Sequence, residues 1–270
     1  MNILPIEKQI QIVSALVEGN SVRATARMVG VEHKTVMRVL LRVGDRCGRI
    51  LDKQMRGLPC KVVQMDEIWT YVAKHERFLR PEDNPAEVGD QYVFVAMDSE
   101  TKLIPSFRVG KRNAETTWHF VQDLRQRIVG RAQITTDGFR PYVNAVEDAF
   151  GANVDYAMLV KMYLDSGNAD TRYSPGEIVD ARPIPITGKP KPWLISTSHI
   201  ERQNLTIRMQ LRRFTRLTNA FSKKLENLKA ALSLHFAWYN FCRVHSTLRV
   251  TPAMAAGVTP TIWGLEEFLP

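Results

Sequence analysis

Asp66, Asp137 and Glu201 are carboxylates that the sequence pattern sets on three separate elements: Asp66 within a strand, Asp137 directly after another strand, and Glu201 in the first turn of a helix. If those strands pair in parallel, Asp66 and Asp137 come close, and the later helix can present Glu201 opposite them. Such a cage of hard oxygen ligands suits two Mg²⁺ ions, which activate an attacking oxygen and stabilise a leaving one in phosphoryl transfer. A single Asp or Glu is far more often a surface charge or a cap, so placement rather than acidity carries the reading. Three other acids read differently. Asp98 sits at a hairpin, where turn chemistry explains it; strand alternation sends Glu67 to the face opposite Asp66; and Asp155 lies in a strand with no accompanying motif.

The elements that must position these acids follow from periodicity. Residues 61–72 are rich in β-branched and aromatic types and read as a strand, with further strands over 91–97 and 102–109. Helical spacing of Trp118, Val121, Leu124 and Ile128 marks a helix over 113–129, followed by a strand over 133–136, a helix over 141–150 and a strand over 153–160. Five strands with interspersed helices make a mixed α/β core. Residues 162–197 hold five prolines and three glycines without a sustained period, and read as a long insertion or loop. Helix returns from 198 to about 216, and again over 222–245.

The 270 residues carry a net charge of +9, which favours a polyanionic partner, and the distribution is informative. Ten Lys or Arg residues against the single acid Glu226 lie between Arg202 and Arg249, and residues 1–60 hold ten bases against five acids. Cys47, Cys60 and Cys242 lack CxxC spacing, which argues against a disulfide framework or a zinc site and fits a reducing cytoplasm. The first residues do not read as a signal peptide, and no apolar stretch approaches the ~18 residues of a membrane span, so no membrane partner is expected.

Gln64-Met65-Asp66-Glu67-Ile68-Trp69, Thr135-Thr136-Asp137-Gly138-Phe139 and Ser198-His199-Ile200-Glu201-Arg202-Gln203-Asn204 together carry a family resemblance, joined by the stretch from Trp238 to Leu248 ahead of Thr251-Pro252. Over most of its length the chain resembles DDE transposases and retroviral-type integrases, and among them looks closest to the insertion sequence one-like group. The resemblance implies a ribonuclease H-like core and a bacterial, cytoplasmic enzyme acting on double-stranded DNA. Asp66, Asp137 and Glu201 match its catalytic and metal-holding positions, for two Mg²⁺ ions with Mn²⁺ able to substitute. It also implies terminal inverted repeats and target DNA as partners, and at least a dimer on DNA to pair two ends. Arg208, two turns beyond Glu201, falls where the family often has a base; it is either a phosphate contact or a solvated surface charge. Asn204, one turn on from Glu201, is a DNA contact or a support for the acids.

Ahead of the core, Gly30 with Ala26, Val36 and Val39 has the spacing of a helix-turn-helix: a small residue where two helices cross, a turn glycine, and two valines locking the second helix. His33, Lys34, Thr35 and Arg38 then face outward to a major groove. A three-helix unit also serves as a protein-interaction module; its position ahead of the acids favours DNA. Arg212 and Arg213 extend the basic run beside the proposed site, as phosphate contacts or a solvated face. The expected organisation is a DNA-binding domain over 1–58, a catalytic core over 59–250 containing the Pro-rich insertion 162–197, and a tail over 251–270. Two rivals stand beside a transposase: a ribonuclease H-like nuclease that does not rejoin, and a transposase-derived DNA-binding protein without activity.

Overall fold

Ile12, Val13, Ala15 and Val17 bury one side of α1 (Ile6–Val17), the first of three helices that open the chain. The computed structural model describes residues 4–163, 178–215 and 218–269. Ser21 accepts the Ala24 amide at 3.1 Å and starts α2 (Val22–Val29), which Gly30 closes in the left-handed conformation at φ 69°. An L side chain would be strained there, which is why the tight turn takes glycine. The chain then enters α3 (His33–Gln54), whose Val36, Val39 and Leu40 are buried in one cluster with Ala26, as the spacing requires.

β1 (Val62–Val72), β2 (Gly89–Asp98) and β3 (Ser106–Gly110) form an antiparallel meander, followed by α4 (Ala114–Arg127), β4 (Ala132–Thr136), α5 (Pro141–Phe150) and β5 (Val154–Tyr163). β4 pairs in parallel with β1 on one side and with β5 on the other. The expected five strands become six. β6 (Ile178–Thr187) runs antiparallel to β5 at the sheet edge, giving the order β3-β2-β1-β4-β5-β6. Part of the Pro-rich stretch 162–197 is therefore strand; residues 164–177 within it lie outside the described residues. One face of the sheet is covered by α4 and α5, where Phe94 of β2 lies 5.7 Å from Phe120 and 6.4 Å from Tyr142.

The other face carries α6 (Ser198–Gln210) and α7 (Leu225–Phe241), with Phe236 of α7 4.6 Å from Phe107 of β3. α6 stops at Gln210 rather than near residue 216, because Leu211 turns extended (φ −104°, ψ 103°) and a 3₁₀ turn over Arg212–Phe214 follows. α7 is likewise shorter than the expected 222–245. Its buried Asn240 both donates to the Ile104 carbonyl at 2.9 Å and accepts from the Ile104 amide at 3.0 Å, pinning the irregular link between β2 and β3. α8 (Pro252–Ala255) begins the final segment, which folds back so that Trp263 stacks on Phe241 at 4.3 Å. Among the described residues no helix is long and apolar enough to cross a membrane.

The three N-terminal helices share the apolar core of the sheet. α3 crosses α7 backbone to backbone: a Cβ on Gly44 would stand 2.5–2.6 Å from the carbonyl oxygen, Cα and Cβ of Ala230. At Gly48, one turn later, the nearest atom would be Ser233 Oγ at an ordinary 3.5 Å. Gly44→Ala is therefore expected to destabilise by about 1–3 kcal/mol through overpacking. Gly48→Ala is expected to be neutral or to stabilise by up to ~1 kcal/mol through helix propensity. Urea unfolding of the two variants measures both, and equal stabilities would rule out the close crossing.

Candidate functional site

The β1–β4 register ends at Met65 opposite Thr136. One step further, β1 presents Asp66 while the other chain leaves its strand at Asp137, so the two carboxylates share the crevice at the carboxyl end of a parallel pair. The Asp137 side chain is fixed by its own turn, its Oδ1 accepting the Phe139 amide at 2.9 Å. Asp66 is fixed from two sides: Oδ1 accepts the Glu67 amide at 2.8 Å, and Oδ2 accepts from the Asn204 side-chain amide at 2.8 Å.

Glu67 belongs to the same cluster. Its backbone obeys alternation, since it lies opposite Phe94 on the α4–α5 face while Asp66 lies opposite Val95 on the α6–α7 face. Yet single carboxylate oxygens of Asp66, Glu67 and Asp137 all lie within 4.8 Å of one another. β4 ends opposite Met65, so it no longer pairs with β1 beside Asp66 and Glu67, and the longer Glu side chain reaches that gap. Glu67 Oε1 is buried and has no hydrogen-bond partner among the described residues. Burial first, then the charges of Asp137 and Asp66, push its carboxyl up to about 8, against the pull of Arg112. Burial, then Asp137, push Asp66 up to about 7. Clustered hard oxygens whose mutual repulsion raises the carboxyls are what a divalent cation would satisfy, so the residues present fit such an ion.

Glu201 is placed by the end of β1. Gln64, on the Asp66 face, accepts the His199 and Ile200 amides at 3.0 and 3.1 Å and so caps the start of α6 against the sheet. The Glu201 carboxylate lies outside the three-acid group; its Oε1 is held by an ion pair to Lys161 of β5 and by Thr197 Oγ1 at 2.6 Å. It adds repulsion at Asp66. On the opposite side, the Arg112 guanidinium stacks on the Phe139 ring at 3.9 Å and stands 3.8 Å from both Glu67 and Asp137. Two cations thus flank four acids.

Glu67, Arg112 and Lys161 join the site without a sequence signal of their own. Alternation holds for the Glu67 backbone but not for its carboxylate. Arg112 and Lys161 carry no motif; their signal exists only in space. Asp98 behaves as a turn acid, accepting from Thr101 Oγ1 at 2.5 Å and the Thr101 amide at 3.1 Å, and Asp155 pairs with Arg131.

Of the proposed DNA contacts, His33, Lys34 and Arg38 are exposed at the start of α3 and Thr35 is half-buried. Arg212 is exposed, Arg208 is half-buried, and Asn204 is engaged with Asp66. Arg213 departs from the expectation. Its guanidinium turns inward to Ser222 Oγ at 2.9 Å and Met37 Sδ at 3.7 Å, and burial lowers it to about 10, so it ties the 3₁₀ turn to α3 rather than facing solvent.

Comparison with solved structures returns a piggyBac transposase synaptic complex with hairpin DNA, at 9% identity and TM-score 0.43, covering 99% of this chain and 71% of that one. A Mos1 transposase paired-end complex with left transposon end matches at 13% identity and TM-score 0.22, covering 58% of this chain; the chain spans 60% of that Mos1 chain. The Mos1 strand transfer complex matches at 13% identity and TM-score 0.25, covering 89% of this chain and 79% of that one. No protein-family model matches the sequence, and no curated protein does.

Calorimetric titration with Mn²⁺ tests the cluster. Asp137→Asn and Glu67→Gln are each expected to weaken binding by about tenfold or more, because each removes a charged oxygen from the group. Arg112→Ala is expected to tighten it a few-fold, roughly what removing one positive charge about 4 Å from two carboxylates is worth near a protein surface. Wild-type affinity in Glu67→Gln would make Glu67 a buried structural acid instead.

Proposed function

We propose that this chain is a metal-dependent DNA transposase, which hydrolyses phosphodiester bonds at the ends of a bacterial insertion sequence and joins each freed 3′-OH to target DNA. The observation that carries the reading is the convergence of Asp66 and Asp137 at the carboxyl end of the parallel pair β1–β4, with Glu67 in the same group and Glu201 on the helix docked beside it. The sequence resemblance assigns Asp66, Asp137 and Glu201 to metal and catalysis.

Asp66 and Asp137 would hold the ions, with Glu67 and Glu201 as the further acids of the site. Bound Mg²⁺, or Mn²⁺ in its place, supplies activation of the attacking oxygen and stabilisation of the leaving one. The chain's own residues do the positioning. Asn204 orients Asp66, Gln64 holds the start of α6, and Arg112 and Lys161 offer their charge to a phosphate that reaches the acids. Outside the crevice, His33, Lys34, Thr35 and Arg38 at the head of α3 read the terminal repeats, while Arg208 and Arg212 contact phosphates. Pairing two ends calls for at least two copies on DNA.

Asp137→Asn is expected to retain binding of end DNA in a mobility-shift assay while losing both cleavage and strand transfer in Mg²⁺. Retained strand transfer would overturn the assignment. Arg212→Ala is expected to weaken binding across sequences and to lower the slope of log affinity against log salt by about 1.

A further inference from the structure

Away from the acid cluster, a cavity of about 790 Å³ opens between the N-terminal helices and the segment that joins α6 to α7. It is within the ~300–1,000 Å³ typical of small-ligand sites. Its floor is α7, with Ala231, Leu234 and His235; its walls include Leu16, Met37 and Phe221. Phe221 is held in place, its ring 4.7 Å from Tyr71, and the neighbouring Ser222 carbonyl accepts the Ala73 amide at 2.8 Å.

Two features mark this cavity as built for a ligand. His235 is 1% exposed, and neither ring nitrogen has a hydrogen-bond partner among the described residues. Burial lowers its imidazole to about 3, so it is neutral and offers one donor and one acceptor. A buried ring with both nitrogens unsatisfied is costly, and a ligand edge that bonds one of them removes part of the penalty. The lining is also charged with one sign: among the described residues Arg23, Arg212, Arg213 and Lys223 contribute, and no Asp or Glu does. Arg23, Arg212 and Lys223 are exposed at the mouth, where Ser21 and Val22 also bring the amide end of α2. Helix amide ends and cations together favour a phosphate.

We propose that this cavity binds one nucleotide, its base between Phe221 and the apolar wall with an edge bonded to His235, and its phosphate at the mouth with Arg23, Arg212 and Lys223. An apolar body, a polar edge and a charged end match the apolar members of the lining, the buried His235 and the exposed Arg23, Arg212 and Lys223. An aromatic wall suits any base, because every base has a π-face. The nucleotide is either free or an unpaired member of a strand. The site does not depend on the acids, so it stands or falls separately from the phosphoryl-transfer reading.

Fluorescence of 2-aminopurine, read with the full chain in the absence of divalent metal, tests this. The probes are the 2-aminopurine deoxynucleoside 5′-monophosphate and a single-stranded hexanucleotide carrying one 2-aminopurine. Saturable quenching is expected with at least one: quenching of the monophosphate indicates a free nucleotide, and quenching of the hexanucleotide alone indicates a strand. The double variant Arg23→Ala, Lys223→Ala is expected to weaken binding by about tenfold or more, since two charge-assisted contacts are lost. His235→Phe is expected to weaken it several-fold with the melting temperature retained; if that variant does not fold, the surface pair decides. Deoxyribose 5-phosphate, which lacks the base, is expected to compete about tenfold or more less well than deoxyadenosine monophosphate. No quenching of either probe, undiminished binding in the surface pair, or equal competition by the baseless sugar phosphate each overturns the proposal.

Discussion

The parallel pairing of β1 with β4, and its end at Met65 opposite Thr136, is the constraint on which the rest of the molecule turns. Had β4 run one residue longer, Asp137 would be a strand residue with its side chain assigned to one face and its amide committed to the ladder. Ending there frees the backbone to turn, and the Asp137 carboxylate closes that turn on the Phe139 amide. It also leaves Asp66 and Glu67 without a β4 partner, so the Glu67 carboxylate can reach the other two. A single register thus decides both that carboxylates meet and how many do.

Like charges brought together in a half-buried crevice repel, and the surroundings are arranged to contain that repulsion. Part is relieved by protons: burial and mutual repulsion raise Asp66 to about 7 and Glu67 to about 8. Part is relieved by cations from both sides, Arg112 from the loop before α4 and Lys161 from β5. Arg112 is held less by its 3.8 Å ion contacts than by its stacking on Phe139, an interaction worth about 0.5–2 kcal/mol depending on exposure. Neither cation is bound so deeply that it could not exchange one anion for another. The proposed phosphoryl transfer calls for that property, because a phosphate reaches clustered acids only if the charge opposing it is neutralised as it arrives.

What was legible in the sequence is what local pattern determines. Asp66 inside an apolar strand, Asp137 at a strand end, and Gly30 with Ala26 and Val36 all depend on neighbours within a few residues. The structure places them accordingly, in β1, directly after β4 and at the turn before α3. β6 was illegible because it contradicts the usual pattern for a strand. It contains Pro183 and Pro185, opposite Leu159 and Ala157 of β5, and most of its residues are exposed. Two prolines two apart omit their N–H groups along one edge of the strand, and an edge strand has a side where no ladder is needed. Glu67, Arg112, Lys161 and the inward turn of Arg213 were illegible for a different reason. Each depends on where another segment, distant in sequence, happens to pass.

The same distinction governs the N-terminal helices. Residues 1–58 read as a DNA-binding domain ahead of the core, and α3, 22 residues long, lies in its second half against α7. The absence of a side chain at Gly44 lets the two backbones touch at Ala230, and a contact that close fixes rotation as well as distance. Arg213 adds a link from the core to Met37 near the head of the same helix. The first turn of α3 is consequently one end of a rigid rod whose other end is core. His33, Lys34 and Arg38 at its head are exposed, and their position relative to Asp66 and Asp137 is set by that packing rather than by a linker.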